Sequence, residues 1–529
     1  MFSYTFIVEI VSGLLNKDEL IRFKSCSVLM RDSMLYHGRP VVSVRVLDEF
    51  CRKRLRDSFL ACEVDVVSEF DGKFGGYPTI VGVSIGEQSV IDGEELVKLS
   101  KLRSLRVNGT LKVEDEHLLK LTNLKRVELF GTEITGVGLN AMKIETLRVK
   151  ENDAFLLVEL ARFKNLRNLE ISHCCGITRP TLENLIGLTS LIFRGENIDD
   201  QSISKLVNLR DLTIITPGCV TDVSIRRLTN LTSLCLNSYA NIVDYECKYD
   251  LRFIGRSFAR LVNLRKLVIS NPVERGCFGE LKLLEELTIE RQCSKIVDED
   301  IRHLRQLRYL QIDAEGVKGI CFHNFSKLEA LVLESGNDVI YKYVDDLTRL
   351  TMLRWDGGME RVTGVYKGEI KFGGLGAKLR VLDLGMKATV GDAALTSLSK
   401  LEVLTLARGH RIIGECFPHL TSLRELNLHR NNFITDFNLN YCTGLRVLNI
   451  SGTVQSNPRY KRVITKNGLF HLQNVTDLNL CLNRDVKLED VIHLGKLRFL
   501  HIVVGDGDEE LRKKLEERGV AVSRCLCER

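Results

Sequence analysis

Proline and tryptophan are scarce in this chain, at 7 and 1 of 529 residues, and no low-complexity run interrupts it. With 44% hydrophobic residues, that scarcity excludes long disordered linkers. No stretch reaches the roughly 18 consecutive apolar residues of a membrane helix, so the sequence offers no transmembrane span. Charge of one sign is not in excess either. The 75 basic and 69 acidic residues leave a formal net charge of +6, and a nucleic-acid partner would need that charge clustered on one face. The 16 cysteines form no CxxC pair and no Cys/His group with zinc-ligand spacing, which points to core or turn thiols and away from a metal centre. Neither a GxSxG nor a phosphate-loop motif is present, and the 11 histidines are scattered. The sequence therefore presents no catalytic residue, no metal ligand and no cofactor site.

What is present is a spacing. In LTNLKRVELFGTEITGVGLNAM, residues 121 to 142, Leu121, Leu124, Val127, Leu129, Ile134 and Leu139 fit neither the helical period nor the alternation of a half-buried strand throughout. Leu124, Val127 and Leu129 read as the approach to a short strand, Gly131 and Thr132 as the turn leaving it, and Leu139 onward as one helical or 3₁₀ turn. A unit of this kind cannot bury its own apolar face, so it predicts stacked copies. A frame Lxx[LV]x[LIVFW] indeed begins at Leu102, Leu124, Ile144, Leu166, Leu188 and Leu209 and continues to Leu497, giving 18 units, most of them 20 to 23 residues apart. Upstream, Val41-Val44-Val46, Ala61-Val64-Val66 and Ile80-Val83-Ile85 keep a similar step with a degraded frame.

On this frame the chain resembles the leucine-rich repeat family over at least residues 102 to 502. The expected fold is an α/β leucine-rich repeat solenoid, a curved horseshoe with a parallel sheet on the concave face and short helices or 3₁₀ turns on the convex face. The expected organisation is a helical segment at 1–40, degenerate repeats at 41–101, leucine-rich repeats at 102–505 and a C-terminal cap at 506–529. In the cap, Asp508 is placed to cap a helix carrying Glu509-Lys513 and Glu510-Lys514 pairs. Trp355 replaces a strand leucine and reads as a packing residue. Extra residues at 239–256, 357–378 and 454–468 fall after the strand of their unit, so they should emerge on one rim; the last carries NPRYKR.

The segment 6–34, FIVEIVSGLLNKDELIRFKSCSVLMRDSM, has two readings. One is a helical hairpin that caps the first repeat. The other is an F-box, which it resembles at Val8, Val11 and Leu15 for the first apolar positions, Glu19-Leu20 for the usual Asp-Leu and Arg22-Phe23 for the basic-apolar pair that follows. The Leu-Pro opening is absent, and Met30 stands at the usual tryptophan position. That resemblance implies a Skp-type adaptor of a cullin-RING (SCF-type) ubiquitin ligase as a partner, bound through Val8, Val11, Leu15, Glu19, Leu20 and Phe23, with a protein target on the concave sheet.

Strand side chains alternate faces, so the residue between the two strand leucines points out of the concave sheet. Along the chain it reads Arg106, Glu128, Arg148, Glu170, a charge-alternating zone suited to pairing along the stack. A more apolar zone follows, with Ile192, Val268 and Val332 as candidates for a partner patch. Last comes a polar ladder including Asp383, Asn427, Asn449, Asn479 and His501, able to donate and accept hydrogen bonds to a ligand or to one another. The reading is a non-enzymatic protein-recognition scaffold, cytoplasmic or nuclear. Its sharper form is a ligase substrate receptor; the alternatives are an adaptor or scaffold with no ubiquitin role and, after that, a secreted or surface receptor. The apolar N-terminus lacks a basic leader and carries Glu9, which argues against secretion.

Overall fold

Each repeat frame becomes one short strand preceded by a turn. In the frame beginning at Leu102, the strand is Ser104–Asn108, and Leu102, Leu105 and Val107 are all buried. Leu105 and Val107 share a face because alternate residues of a strand do, and Arg106 between them faces the other way. The computed structural model describes most of residues 80–524 together with the strands Leu35–Tyr36, Arg39–Val44 and Ala61–Val66. The longer stretches outside the described residues are 1–34, 45–60, 67–79, 238–257, 356–371 and 453–463. The F-box-like positions Val8, Val11, Leu15, Glu19, Leu20 and Phe23 therefore lie outside them, as does most of each of the three insertions.

The chain divides into two units, Met1–Arg252 and Phe253–Arg529. In the first, strands from Arg39–Val44 to Ser233–Asn237 pair in parallel, each with the next along the chain; Leu35–Tyr36 adds a short antiparallel partner to Arg39–Val44. In the second, parallel pairing runs from Lys266–Ile269 to Ala521–Arg524. The register keeps like with like: Leu426, Leu448, Leu478 and Leu500 lie side by side. Each unit is an α/β leucine-rich repeat solenoid, with parallel strands on one side and short helices or 3₁₀ turns on the other. Among the described residues, no helix is long and apolar enough to cross a membrane.

The helices are too short to stand alone. Asp222–Ile225, Asp392–Leu395 and Asp436–Leu439 have four residues each, and nucleating one isolated turn is unfavourable. Two of these helices, and others like them, are held from the side by a device the repeat frame did not reveal. The carboxylate of Asp115, in the first turn of the helix Asp115–Lys120, accepts Thr135 N–H and Oγ1–H, both at 2.8 Å, and Gly136 and Gly138 N–H, both at 2.9 Å, all from the next repeat. Asp392 takes the N–H groups of Ile413, Gly414 and Cys416 at 2.8 to 3.0 Å. Asp436 takes Thr465 N–H and Oγ1–H, both at 2.7 Å. Each carboxylate thus bonds turn donors that strand pairing leaves unmet, and it fastens one repeat to the next. Asp200 with Thr221 and Asp298 with Lys318 and Cys321 repeat the pattern.

The core is a stack of leucines with larger residues at intervals. Trp355 is 1% exposed, as a packing residue should be, and Phe258 stacks on Phe278 with ring centroids 6.4 Å apart. Cys277, Cys321, Cys416 and Cys442 are buried free thiols and Cys235 is a half-buried one, whereas Cys481 is disulfide-bonded, which the thiol reading did not anticipate. At the C-terminal end, the helix Glu509–Glu517 leads into one more strand, Ala521–Arg524, paired with Phe499–Ile502. Lys514 pairs with Glu510 at 2.9 Å as expected, but Asp508 makes no capping side-chain hydrogen bond.

Candidate functional site

Parallel sheets are normally covered on both faces. Here the helices and 3₁₀ turns occupy one face. On the other, the residues between the strand leucines are largely half-exposed or exposed. The three zones read from the sequence have different surroundings in the structure.

In the first unit the charge-alternating zone pairs along the stack. Glu128 is 5% exposed and lies between Arg106, 2.5 Å from it, and Arg148, 3.2 Å from it; Arg148 also reaches Glu170 at 3.1 Å, and Lys150 reaches Glu170 at 2.5 Å. Arg106 and Lys150 both sit over the Phe130 ring, 5.3 and 5.5 Å from its centroid. The cations remain near two-fifths exposed, so each pair contributes at most about 1 kcal/mol. Internal pairing occupies the charges of this zone. Ile192 follows in register beside Glu170 and is half-buried.

In the second unit the apolar residues do not merge into a patch. Val268 and Val332 are separated in register by Thr288 and Gln311. Val332 is only 5% exposed, flanked by the longer Gln311 and Arg354. Gln311 is engaged by its neighbours, accepting Tyr309 O–H at 2.8 Å and donating to Glu334 at 2.5 Å. Burial, followed by the Glu334 charge, holds the Tyr309 phenol above its ordinary pKa.

The polar ladder is in register as read. Asp383 lies beside Thr405, then come Asn427, Asn449, Asn479 and His501, each on the next strand, with strands about 4.8 Å apart. Its side-chain oxygens have a local task, however. Oδ1 of Asp383 accepts Gly385 N–H at 3.0 Å, that of Asn427 accepts His429 N–H at 3.1 Å, and those of Asn449 and Asn479 accept Ser451 and Cys481 N–H, both at 3.0 Å. Each is a side chain bonding its own backbone two residues on, a turn that competes with strand continuation. The turn coincides with the strand end, although Val403–Thr405 stops at its ladder position without such a bond from Thr405 among the described residues. Val381–Asp383, Glu425–Asn427, Val447–Asn449 and Asp477–Asn479 all end at the ladder residue, whereas strands such as Lys266–Ile269 and Ala330–Leu333 run on by one. Left-handed backbone follows at Gly385, Arg430, Gly452 and Leu482.

With the carbonyl oxygens fixed, the amide nitrogens are fixed too. Among the described residues, Nδ2 of Asn427, Asn449 and Asn479 has no hydrogen-bond acceptor. Two histidines border the row: His429 Nδ1 lies 2.8 Å from Ser451 Oγ, and His501 Nδ1 lies 2.6 Å from Ser523 Oγ. Arg354, at the other end, approaches Asp383 at 3.6 Å. Asn427, Asn449 and Asn479 thus form a line of half-exposed, pre-oriented donors.

The buried asparagines that follow it do different work and were not singled out from sequence. Asn431 donates to Leu406 O at 2.9 Å and accepts Phe433 and Ile434 N–H; Asn483 donates to Ile450 O at 3.3 Å and accepts Asp485 and Val486 N–H. The signal that could have found them is the offset of four residues after the ladder asparagine, Asn427 to Asn431 and Asn479 to Asn483.

No protein-family model matches the chain, and no curated protein matches it in sequence. Two solved structures are similar to it. An internalin (inlF) from Listeria monocytogenes is similar at 17% identity, covering 69% of this chain and 88% of its own, with a TM-score of 0.36. A TLR13–ssRNA13 complex is similar at 16% identity, covering 85% of this chain and 78% of its own, with a TM-score of 0.48.

Proposed function

We propose that the chain is a non-enzymatic recognition scaffold that holds a protein partner on the open strand face of its second unit. The observation that supports this is the in-register row Asn427, Asn449 and Asn479. Its oxygens are tied to the backbone and its amide donors find no acceptor among the described residues. A donor fixed in advance loses little freedom on binding and imposes geometry on its partner. The test is partner capture with the full chain and with Asn427→Arg/Asn479→Arg. Partners retained by the native chain and lost by the variant support the reading; an unchanged set contradicts it.

The finer reading makes the scaffold a substrate receptor of a cullin-RING ubiquitin ligase. It rests on the sequence of residues 6–34 alone, with Val8, Val11, Leu15, Glu19, Leu20 and Phe23 contacting a Skp-type adaptor. Purified adaptor should bind the full chain but neither a chain starting at Pro40 nor Val11→Asp/Leu15→Asp. A folded full chain that does not bind the adaptor leaves the scaffold without a ubiquitin role.

A further inference from the structure

Beyond the strand face, the edge where each strand begins carries a row of its own. The residue immediately before the first strand position stacks from repeat to repeat through a continuous backbone ladder: Arg424 N–H bonds Glu402 O, Arg446 N–H bonds Arg424 O, Thr476 N–H bonds Arg446 O, and Arg498 N–H bonds Thr476 O. Upstream in the same unit the row alternates in sign and neutralises itself. Arg265 pairs with Glu285, Arg308 with Glu329 at 2.9 Å, and Arg380 with Glu402. After Glu402 the alternation stops. Arg424, Arg446 and Arg498 are exposed, and no carboxylate in the row stands between them.

Lys400 and Lys496, two residues before row positions, extend the positive charge, and the side chains of Lys400, Arg446 and Arg498 make no bond among the described residues. Arg424 reaches only the backbone oxygen of Gly444, at 3.4 Å, and Lys496 the amide oxygen of Asn474, at 2.6 Å. Next to the row, on the strand face, stand Val403, Val447 and the 57%-exposed Phe499, interrupted by Glu425 and Asp477. At its upstream end an open cavity of about 370 Å³ is lined by Thr351, Lys378, Arg380, Lys400, Glu402 and Ser422.

We infer that this edge is a second contact surface, and that it takes an acidic polypeptide segment carrying apolar side chains. Exposed arginines on neighbouring strands, with long side chains and no carboxylate partner among the described residues, are complementary in charge to an extended chain whose same-side carboxylates recur about every 6.6 to 6.8 Å. The adjoining valines and Phe499 give that chain's apolar residues a place to lie. A nucleic acid fits less well, because Glu402, Glu425 and Asp477 would face its phosphates, and interfaces with nucleic acid are strongly positive.

The experiment uses the full chain in 150 mM salt. Its probes are a fluorescein-labelled 12-residue peptide of alternating acidic and apolar residues, the same peptide with lysine replacing each acid, and a 12-nucleotide oligodeoxythymidine. The acidic peptide should bind. The triple variant Arg424→Gln/Arg446→Gln/Arg498→Gln, with an unchanged circular dichroism spectrum, should weaken it by about tenfold or more. Arg308→Gln, in the paired stretch, should leave it within about twofold. Should the triple variant fail to fold, the same loss is expected from Arg446→Gln/Arg498→Gln. No binding by the native chain, equal weakening by Arg308→Gln, or oligonucleotide binding as tight as the peptide overturns the inference.

Discussion

Asn449 accepts the backbone N–H of Ser451 through Oδ1 at 3.0 Å, and the strand Val447–Asn449 ends there. The residue that faces the open side thus also forms the turn at the point where the strand ends. Replacing it with valine removes the acceptor and restores a strand-forming side chain. Asn449→Val should cost about 1 kcal/mol and should speed hydrogen exchange at the Ser451 amide. Asn449→Asp keeps the acceptor and should leave Ser451 protected. Equal exchange in both variants would remove the turn from the account.

Asp115 is expected to matter beyond its own helix. Its carboxylate meets four donors of the following repeat. Asp115→Ala should destabilise the first unit by about 2 kcal/mol, because those donors lose their partner. Hydrogen exchange should show the loss at residues 135–138 as well as at 115–120. Gly138→Ala should act at the same joint, since a Cβ there would stand 2.0 Å from the Asp115 backbone oxygen.

The buried thiols give a pH dependence. Burial pushes the Cys442 thiol up to about 12, and burial, reinforced by Asp298 and Asp392 respectively, pushes Cys321 and Cys416 up as well. An unfolded thiol titrates near 9.0. The folded state therefore holds these protons more tightly, and the contribution of these thiols to stability is complete below pH 9 and declines as pH rises from 9 toward 12. Urea midpoints should fall across that window, and a thiol reagent at pH 8 should leave Cys321, Cys416 and Cys442 unmodified until the chain unfolds.

Trp355, the only tryptophan, is 1% exposed in the second unit. Its emission should be blue-shifted in the native state and move to longer wavelength as that unit unfolds, giving a local probe. Trp355→Ala should cost about 3 to 5 kcal/mol through the cavity it leaves. A native emission already at the wavelength of exposed indole would contradict the packing.

The repeat frame was legible because leucine spacing is a direct image of which side chains must be buried. The pairing of Arg106, Glu128, Arg148 and Glu170 was legible for a related reason, since parallel register brings equivalent positions together. The turn-forming task of Asn427, Asn449 and Asn479 was not. A short polar side chain can serve a ligand, a neighbour or its own backbone, and only the backbone path decides among them. The inter-repeat carboxylates left a trace in phrases such as GDAAL and TDFNL, but their partners lie about 20 to 30 residues on, beyond any local pattern. Val332 illustrates the converse. Alternation places it on the open face, yet its exposure depends on the longer Gln311 and Arg354 beside it. The unpaired arginine edge was hidden because the frame breaks alternation between its first and second leucines, so facing cannot be counted through that break.

The central claim is that the open strand face of the second unit binds the partner. The most direct measurement places a photo-cross-linking side chain at Asn427 or Asn479, and in separate chains at Phe437 or Phe470, which are 66% and 64% exposed on the helix side of the same unit. The account predicts one shared adduct from positions 427 and 479 that is absent from 437 and 470. Adducts from the helix-side positions alone, or the same adducts from all four, would contradict it.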